Sequence, residues 1–225
     1  MRPAPAHLFP IVLAGPSGGG KTTVRSGLLQ RRSDLLFSVS ATTRPPRPGE
    51  VDGRDYQFLG RRDFEALIEG GDLLEWAEVH GELYGTPRDN LRRAWDEAAH
   101  LLLDIDVQGA RQLRTVQPDA VTIFLLPPDY GRLVERLRGR GSEDAGTFGR
   151  RMKTALSELS EVERFDYVVV NDDLEDTLEA VEAIVSAERY KVKRLSPDAR
   201  DLVRDLSESL NRMLNASVEQ EARSE

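Results

Sequence analysis

The sequence predicts an α/β fold in which helices cover both faces of a five-stranded parallel sheet. Apolar runs at 101–106, 121–126 and 167–171 have the character of buried parallel strands. Helical segments of ten or more residues separate these runs, and such alternation builds right-handed βαβ units. A further apolar run, 8–14, leads into a glycine-rich turn and then a helix. The rest of the chain is organised around that turn.

The turn carries a phosphate-binding motif. Residues 15–22, here called the phosphate loop, match G-x-x-x-x-G-K-[ST] at every fixed position. Glycine lets backbone N–H groups turn inward around a phosphate, Lys21 adds a charge, and the Thr22 hydroxyl can ligate Mg²⁺. The helix that begins near Lys21 points its positive end at the same anion. A plain glycine turn would not explain the ordered Gly-Lys-Thr, so the motif predicts a nucleoside triphosphate site in a three-layer sandwich of the P-loop NTPase type.

Composition and charge exclude several other kinds of function. The 225-residue chain has no cysteine, which rules out disulfides, thiolate metal sites and a cysteine nucleophile. Its three histidines lack metal-ligand spacing. A net charge of −8 argues against a nucleic-acid surface, and no apolar run approaches the roughly 18 residues of a membrane span. Pro10 interrupts the run at 8–14, so we do not interpret it as a signal peptide and expect a cytoplasmic protein.

Periodicity predicts the remaining elements. Helices are expected at 22–32, 61–69, 90–99, 107–116, 130–138, 150–164 and 174–193, and further strands at 37–41, 55–59 and 73–79. Residues 42–50 carry three prolines and two arginines, which bars a helix and predicts a loop. We interpret 42–87 as a small mixed α/β insertion into a core formed by 8–41 and 88–194.

Two segments lie outside this regular pattern. The glycine-rich, charged stretch 138–151 joins two helices that carry arginines and is interpreted as a helical lid, with an ordinary solvated loop as the alternative. The C-terminal segment 195–225 is predicted to hold an amphipathic helix at 198–218. Its apolar stripe packs either on its own domain or on another chain, and a homodimer is one expectation. The stripe consists of Leu202, Val203, Leu206, Leu210, Met213 and Leu214.

Candidate ligands follow from position and chemistry. Asp104, at the end of an apolar strand, suits a Walker B role beside Thr22, where it would contact Mg²⁺ directly or through water. The insertion would then hold the acceptor of the phosphoryl group. Guanidinium groups can bind a monophosphate through two parallel hydrogen bonds, and tyrosine hydroxyls can add further donors. The candidates for this role are Arg44, Arg47, Tyr56 and Tyr84.

Glu75 stands between apolar neighbours in the strand at 73–79. If the side chain is buried, its carboxylate is unfavourable unless a pair of hydrogen-bond donors contacts it. The alternative is that Glu75 faces the solvent.

Five stretches of the sequence together resemble guanylate kinases. They occur in order and with family-like spacing between about Phe9 and Tyr190. They are Gly-Pro-Ser-Gly-Gly-Gly-Lys-Thr-Thr at 15–23, Ser-Val-Ser-Ala-Thr-Thr-Arg-Pro-Pro-Arg-Pro-Gly-Glu-Val-Asp-Gly-Arg-Asp-Tyr at 38–56, Leu-Glu-Trp-Ala-Glu-Val-His-Gly-Glu-Leu-Tyr-Gly-Thr at 74–86, Leu-Asp-Ile-Asp-Val-Gln-Gly-Ala at 103–110 and Val-Asn-Asp-Asp-Leu at 170–174.

This resemblance implies direct transfer of the ATP γ-phosphoryl group to GMP or dGMP, with Mg²⁺ as cofactor. It implies that the GMP phosphate is bound by Ser40, Arg44, Arg47, Tyr56 and Tyr84, and that guanine is read by Glu75, Thr86 and Asp106. ATP would be held by Gly15, Pro16, Ser17, Gly18, Gly19, Gly20, Lys21, Thr22, Thr23 and Asn171, with Asn171 near the adenine. The catalytic donors would be Lys21, Arg44, Arg140 and Arg151, and the metal ligands Thr22 and Asp104.

Two other functions stay open at this point. One is a guanylate-kinase-like module of the kind that binds phosphorylated peptides in membrane-associated scaffolds, and the other is a P-loop kinase for a different small phosphorylated acceptor. The complete Gly-Lys-Thr of the phosphate loop and the lack of a visible second domain speak against the first. Ala41 departs from the resemblance, since relatives often place a polar residue there, and the tail after Arg194 lies beyond it.

Overall fold

The computed structural model describes residues 8–79, 81–138 and 145–222. In this part of the chain the strands β1 to β9 span Ile11–Ala14, Leu35–Phe37, Ala41–Thr42, Gln57–Phe58, Leu73–Val79, Glu82–Pro87, His100–Asp104, Val121–Leu126 and Tyr167–Val170. The helices α1 to α8 span Lys21–Arg31, Arg61–Gly70, Arg88–Asp96, Val107–Val116, Tyr130–Arg138, Ala145–Leu159, Leu174–Glu188 and Pro197–Ala222.

The central sheet has five parallel strands in the order β2-β7-β1-β8-β9, which confirms the predicted core. Alternate side chains of β1 enter different layers, because successive residues of a strand point to opposite faces. Ile11 and Leu13 pack with the helices α1 and α7, whereas Val12 and Ala14 pack with α3 and α4. The result is a three-layer sandwich. Each fully buried Leu or Ile in it contributes about 1.5–3 kcal/mol.

A second, mixed sheet has the order β4-β3-β6-β5 and uses residues 41–87. Helix α2 closes it by placing the fully buried Phe64 against Ala41, Leu73 and Leu83. This sheet lies in the stretch for which the sequence predicts an insertion, and the domain boundaries as such stay a prediction.

The strand predicted at 37–41 is divided between the two sheets. Strand β2 ends at Phe37 in the central sheet. The last backbone contact with that sheet is the hydrogen bond from Ser38 N–H to the carbonyl of Leu102 at 2.9 Å. Strand β3 begins at Ala41 and pairs with β6. The sequence did not predict β6, because Gly85 and Pro87 are residue types that rarely occur in strands. Strand β6 pairs with β5 across a turn in which Gly81 has a φ of 86°.

Several helix ends also differ from the prediction. Instead of 150–164, α6 covers 145–159 and is followed by a 3₁₀ turn at 162–164; instead of 174–193, α7 stops at 188 and a 3₁₀ turn follows at 192–194. Of the predicted lid, residues 139–144 lie outside the described residues, while 145–151 belong to α6.

The predicted C-terminal helix is present as α8. Every residue from 201 to 215 is exposed, so the apolar stripe does not pack on its own domain there. None of the described helices combines the length and the apolarity that crossing a membrane requires.

Candidate active site

The phosphate loop connects β1 to α1 in a conformation that requires glycine, as Gly15 and Gly20 show most clearly. Gly15 has a φ of 144° and Gly20 a φ of 87°. A Cβ atom would lie 2.4 Å from the Leu125 carbonyl oxygen at the first position and 2.2 Å from Asn171 Nδ2 at the second. The loop is therefore wrapped closely by the ends of β8 and β9.

The side chain of Lys21 is hydrogen-bonded to the backbone of this loop. Its Nζ donates to the carbonyl oxygen of Gly15 at 2.8 Å and to that of Pro16 at 3.4 Å. Since α1 begins at Lys21, the positive end of the helix and the ammonium group face the same loop.

Asn171 supports the loop from behind. The side chain is buried, its Nδ2 donates to the Gly19 carbonyl at 2.7 Å, and its Oδ1 accepts from the Thr177 hydroxyl at 3.2 Å. The structure thus shows Asn171 in contact with the phosphate loop through its amide group, and its predicted place near adenine stays a prediction. Thr23, in contrast, is exposed.

Thr22 and Asp104 meet at the end of the central sheet. Parallel pairing of β1 with β7 sets Leu13 beside Asp104, and the Thr22 hydroxyl then lies 3.5 Å from Asp104 Oδ2. Arg25 reaches the same carboxylate oxygen at 3.7 Å. Two oxygen ligands fit Mg²⁺, which prefers oxygen and completes its shell with nucleotide phosphates and water. Within the described ranges no cluster of three or more acidic or histidine side chains could hold a metal by itself.

The arginines of α5 and α6 approach the loop from the side of the predicted lid. Arg151 is buried; it donates to the Leu137 carbonyl and lies 3.4 Å from the Ser17 hydroxyl. Arg140 lies outside the described residues.

Sequence reasoning missed Arg136, in the last turn of α5. Its NH2 donates to the Asn171 carbonyl at 3.2 Å, while its NH1 is the one buried side-chain polar atom without a hydrogen-bond partner in the described part of the chain. A Cβ at Gly20 would lie 3.7 Å from that NH1. Buried donors are normally paired, so this atom is poised for a ligand at the phosphate loop. The concentration of arginines around 136–140 was the available signal.

Glu75, Thr86 and Asp106 come together. Glu75 is only 5% exposed, which excludes the solvent-facing alternative, and its Oε1 accepts from the Thr86 hydroxyl at 2.6 Å. Asp106 caps α4 by accepting from Gly109 N–H at 2.8 Å. A Cβ on Gly109 would lie 2.5 Å from Glu75 Oε2 and 3.4 Å from Asp106 Oδ1, so glycine permits the close approach of the two carboxylates.

Burial beside Asp106 destabilises the ionised form of Glu75. Burial raises the pKa of Glu75 to about 7; the Thr86 hydrogen bond opposes the rise, and the charge of Asp106 adds to it. The hydrogen bonding of Thr86 therefore does not fully offset the burial of Glu75 beside a second carboxylate. A ligand with two N–H donors would stabilise the ionised carboxylate.

Three of the residues predicted to bind the GMP phosphate contact one another beside the second sheet. Arg44 pairs with Glu50 at 2.9 Å and lies over the ring of Tyr56, 5.4 Å from its centroid. Tyr56 packs edge-on against Tyr84 at 6.1 Å. The hydrogen bond from Arg44 lowers the pKa of Glu50, and burial raises that of Tyr56 with a further contribution from the charge of Asp104.

The other two residues predicted to bind the GMP phosphate make fewer contacts. The backbone N–H of Arg47 donates to Glu50 at 2.7 Å and its side chain is exposed, while Ser40 is half-buried and its carbonyl accepts from Gln57 N–H at 2.9 Å. Their roles toward a phosphate stay predictions.

The chain is similar to known proteins of one family. The family model described as guanylate kinase matches residues 8–188. The chain is 51% identical over 166 residues to a guanylate kinase of Rhodococcus jostii (strain RHA1), covering 73% of this chain and 80% of the relative. It is 47% identical over 197 residues to one of Chelativorans sp. (strain BNC1), covering 87% and 90%.

The fold is also similar to a solved structure. The crystal structure of guanylate kinase from Anaplasma phagocytophilum gives a TM-score of 0.73 at 37% identity and covers 87% of this chain and 93% of that chain. Since the family match spans every candidate residue described above, the chain belongs to the guanylate kinase family and is a kinase.

Proposed function

We propose that the protein is an ATP:GMP phosphotransferase, which converts Mg-ATP and GMP or dGMP into ADP and GDP or dGDP. The observation that carries this proposal is the group formed by the buried Glu75 and Thr86 and the half-buried Asp106, here called the base pocket. Asp104 and Asp106 stand two residues apart at the end of β7, the first toward Thr22 and the second toward Glu75. The end of one strand thus links a triphosphate site to an acceptor site.

The pocket is complementary to guanine. Guanine presents adjacent N1–H and N2–H donors, which the two oxygens of Glu75 can accept together, whereas adenine presents an acceptor at N1. Ligand donors favour the ionised carboxylate and offset the burial that raises its pKa. A buried mismatch of this kind discriminates by as much as ~10⁴-fold.

Phosphoryl transfer requires in-line oxygens and donors for the charge on the moving group, and little covalent chemistry. Lys21 and the loop amides would hold the ATP phosphates, and Arg136 and Arg151 approach the loop from α5 and α6. Arg44 would hold the GMP phosphate. Mg²⁺ held by Thr22 and Asp104 would neutralise phosphate charge. We expect no general base and no phosphoenzyme, since the site serves by positioning and electrostatics.

A parallel assay tests the proposal. ADP release is measured with GMP, dGMP, AMP, UMP and ribose phosphate as acceptors. We expect turnover with GMP and dGMP only. Equal rates with AMP would defeat the guanine assignment, and the absence of ATP consumption with GMP would favour a binding module.

A further inference from the structure

A buried carboxylate on α6 contacts the phosphate loop and has no part in the chemistry described above. Glu158, in the last turn of α6, is 7% exposed, and its Oε2 accepts a hydrogen bond from the backbone N–H of Ser17 at 2.9 Å. Loop amides usually point toward phosphate, but this one points at a carboxylate. Burial raises the pKa of Glu158, while the charge of Lys21 and the Ser17 amide oppose the rise.

The hydrogen bond fixes one peptide group from both ends. The Pro16 carbonyl, in the same peptide plane as the Ser17 N–H, accepts from Gly19 N–H at 2.7 Å and from Lys21 Nζ at 3.4 Å. Because a peptide group rotates as a rigid unit, the position of its N–H decides where its carbonyl points. A carboxylate can only accept, so Glu158 holds the N–H toward α6 and the carbonyl toward Lys21 and Gly19.

Helix α6 reaches the same residue a second time. Arg151 lies seven residues before Glu158, which is about two helical turns, and its NH2 is 3.4 Å from the Ser17 hydroxyl. The backbone and the side chain of Ser17 are thus both held by one helix. That helix begins inside the segment predicted as the lid.

We propose that Glu158 is a positioning residue that fixes the Pro16–Ser17 peptide in the orientation required for ATP binding and so couples α6 to ATP affinity. The proposal deepens the proposed function, on which its nucleotide assignment rests. Without this acceptor the partly buried Ser17 N–H would lose its partner, and the peptide could turn its carbonyl toward the phosphate oxygens. That repulsion would weaken ATP binding, while the affinity for GMP, which is held by the second sheet and the start of α4, should stay unchanged.

Two conservative variants separate acceptor geometry from charge. Glu158→Gln keeps an oxygen acceptor in place without the charge, and Glu158→Asp keeps the charge but withdraws it by roughly 1.5 Å. Binding of a fluorescent ADP analogue is measured in the absence of GMP, together with KM for ATP and for GMP. The controls are Glu161→Gln and Glu161→Asp, since Glu161 follows α6 closely but pairs with Arg164 at 3.3 Å.

We expect Glu158→Asp to weaken analogue binding and raise KM for ATP about tenfold to hundredfold, with KM for GMP unchanged. Glu158→Gln should stay within about threefold of the wild type, and the Glu161 variants should bind normally. An equal loss in both Glu158 variants, or an equal rise in both KM values, would overturn the proposal. Thermal unfolding of each variant verifies that it is folded.

The same measurements distinguish the two proposals. If the wild type does not phosphorylate GMP but Glu158→Asp still loses analogue binding, the positioning role stands and the proposed function fails. If the wild type phosphorylates GMP and Glu158→Asp binds the analogue normally, the proposed function stands and the positioning role fails.

Discussion

Glu75 on β5 and Thr86 on β6 face each other across an antiparallel pair, and the Thr86 hydroxyl donates to Glu75 Oε1 over 2.6 Å. This contact holds one carboxylate oxygen and leaves Oε2 beside Gly109. Helix α4 covers the free edge of β5, where the Gln112 side chain bonds both the N–H and the carbonyl of Trp76. The base pocket is therefore built jointly by the second sheet and the core.

Replacement of Glu75 by Gln should selectively impair the use of GMP. The amide offers one acceptor where guanine presents two donors, so we expect kcat/KM for GMP to fall about 100-fold or more. KM for ATP should change less than twofold. The control is Glu78→Gln on the same strand, since Glu78 is exposed. A loss of ATP affinity as large as the loss for GMP would contradict the assignment.

The raised pKa of Glu75 predicts a pH-dependent affinity for GMP. In the free protein the carboxyl is protonated below about pH 7, whereas guanine requires the ionised form. KM for GMP should therefore rise as pH falls below 7, by as much as tenfold per pH unit, and level off above pH 8. Steady-state kinetics between pH 6.5 and 8 avoid most of the phosphate ionisation near pH 6. The dependence should vanish in Glu75→Gln, and its persistence there would assign it to another group.

Gly20→Ala should abolish nucleotide binding. The new Cβ would combine a φ of 87° with a 2.2 Å contact to Asn171 Nδ2. Gly71→Ala is the matched control, because Gly71 has a φ of 69° but open space around a Cβ. We expect the control to lose about 1 kcal/mol of stability and keep its affinity for the fluorescent ADP analogue. Normal analogue binding by Gly20→Ala would refute this description of the loop.

Arg136→Met should weaken ATP binding without affecting GMP. Removal of the unpaired buried NH1 removes a donor directed at the loop, so KM for ATP should rise about tenfold. Arg132→Met, on the exposed face of α5, is the control because its guanidinium pairs with Glu135 instead. If both variants behave alike, the unpaired donor has no role at the phosphate loop.

The exposed stripe of α8 allows a direct test of the predicted homodimer. Deletion of residues 196–225 should lower the sedimentation coefficient to that of a monomer while kcat stays unchanged, since no described candidate site residue lies in the tail. Leu206→Glu and Leu210→Glu in the full chain should act in the same way, because a charge in an apolar helix interface is unfavourable. Arg204→Glu, on the same helix, is the control. A wild-type protein that sediments as a monomer would rule out the homodimer.

The sequence by itself determined the features that depend on neighbouring residues. The order of glycines, lysine and threonine in 15–22 specifies the turn between β1 and α1, and apolar runs such as 121–126 specify buried parallel strands. The same local patterns, taken together, were sufficient to indicate the family. The candidate residues of the base pocket were also identified this way, although only by resemblance for Thr86 and Asp106.

Only the tertiary structure decided which side chains meet. Residues 73–75 are all buried, at a register shift between β5 and β6, so simple alternation could not place Glu75 inside or outside. Its burial depends on α4, more than thirty residues away along the chain. The division of 37–41 between two sheets, the unpaired NH1 of Arg136 and the Glu158–Ser17 hydrogen bond have the same origin. Each depends on contacts between segments that are far apart in the sequence, and such contacts cannot be inferred from the local pattern of residues.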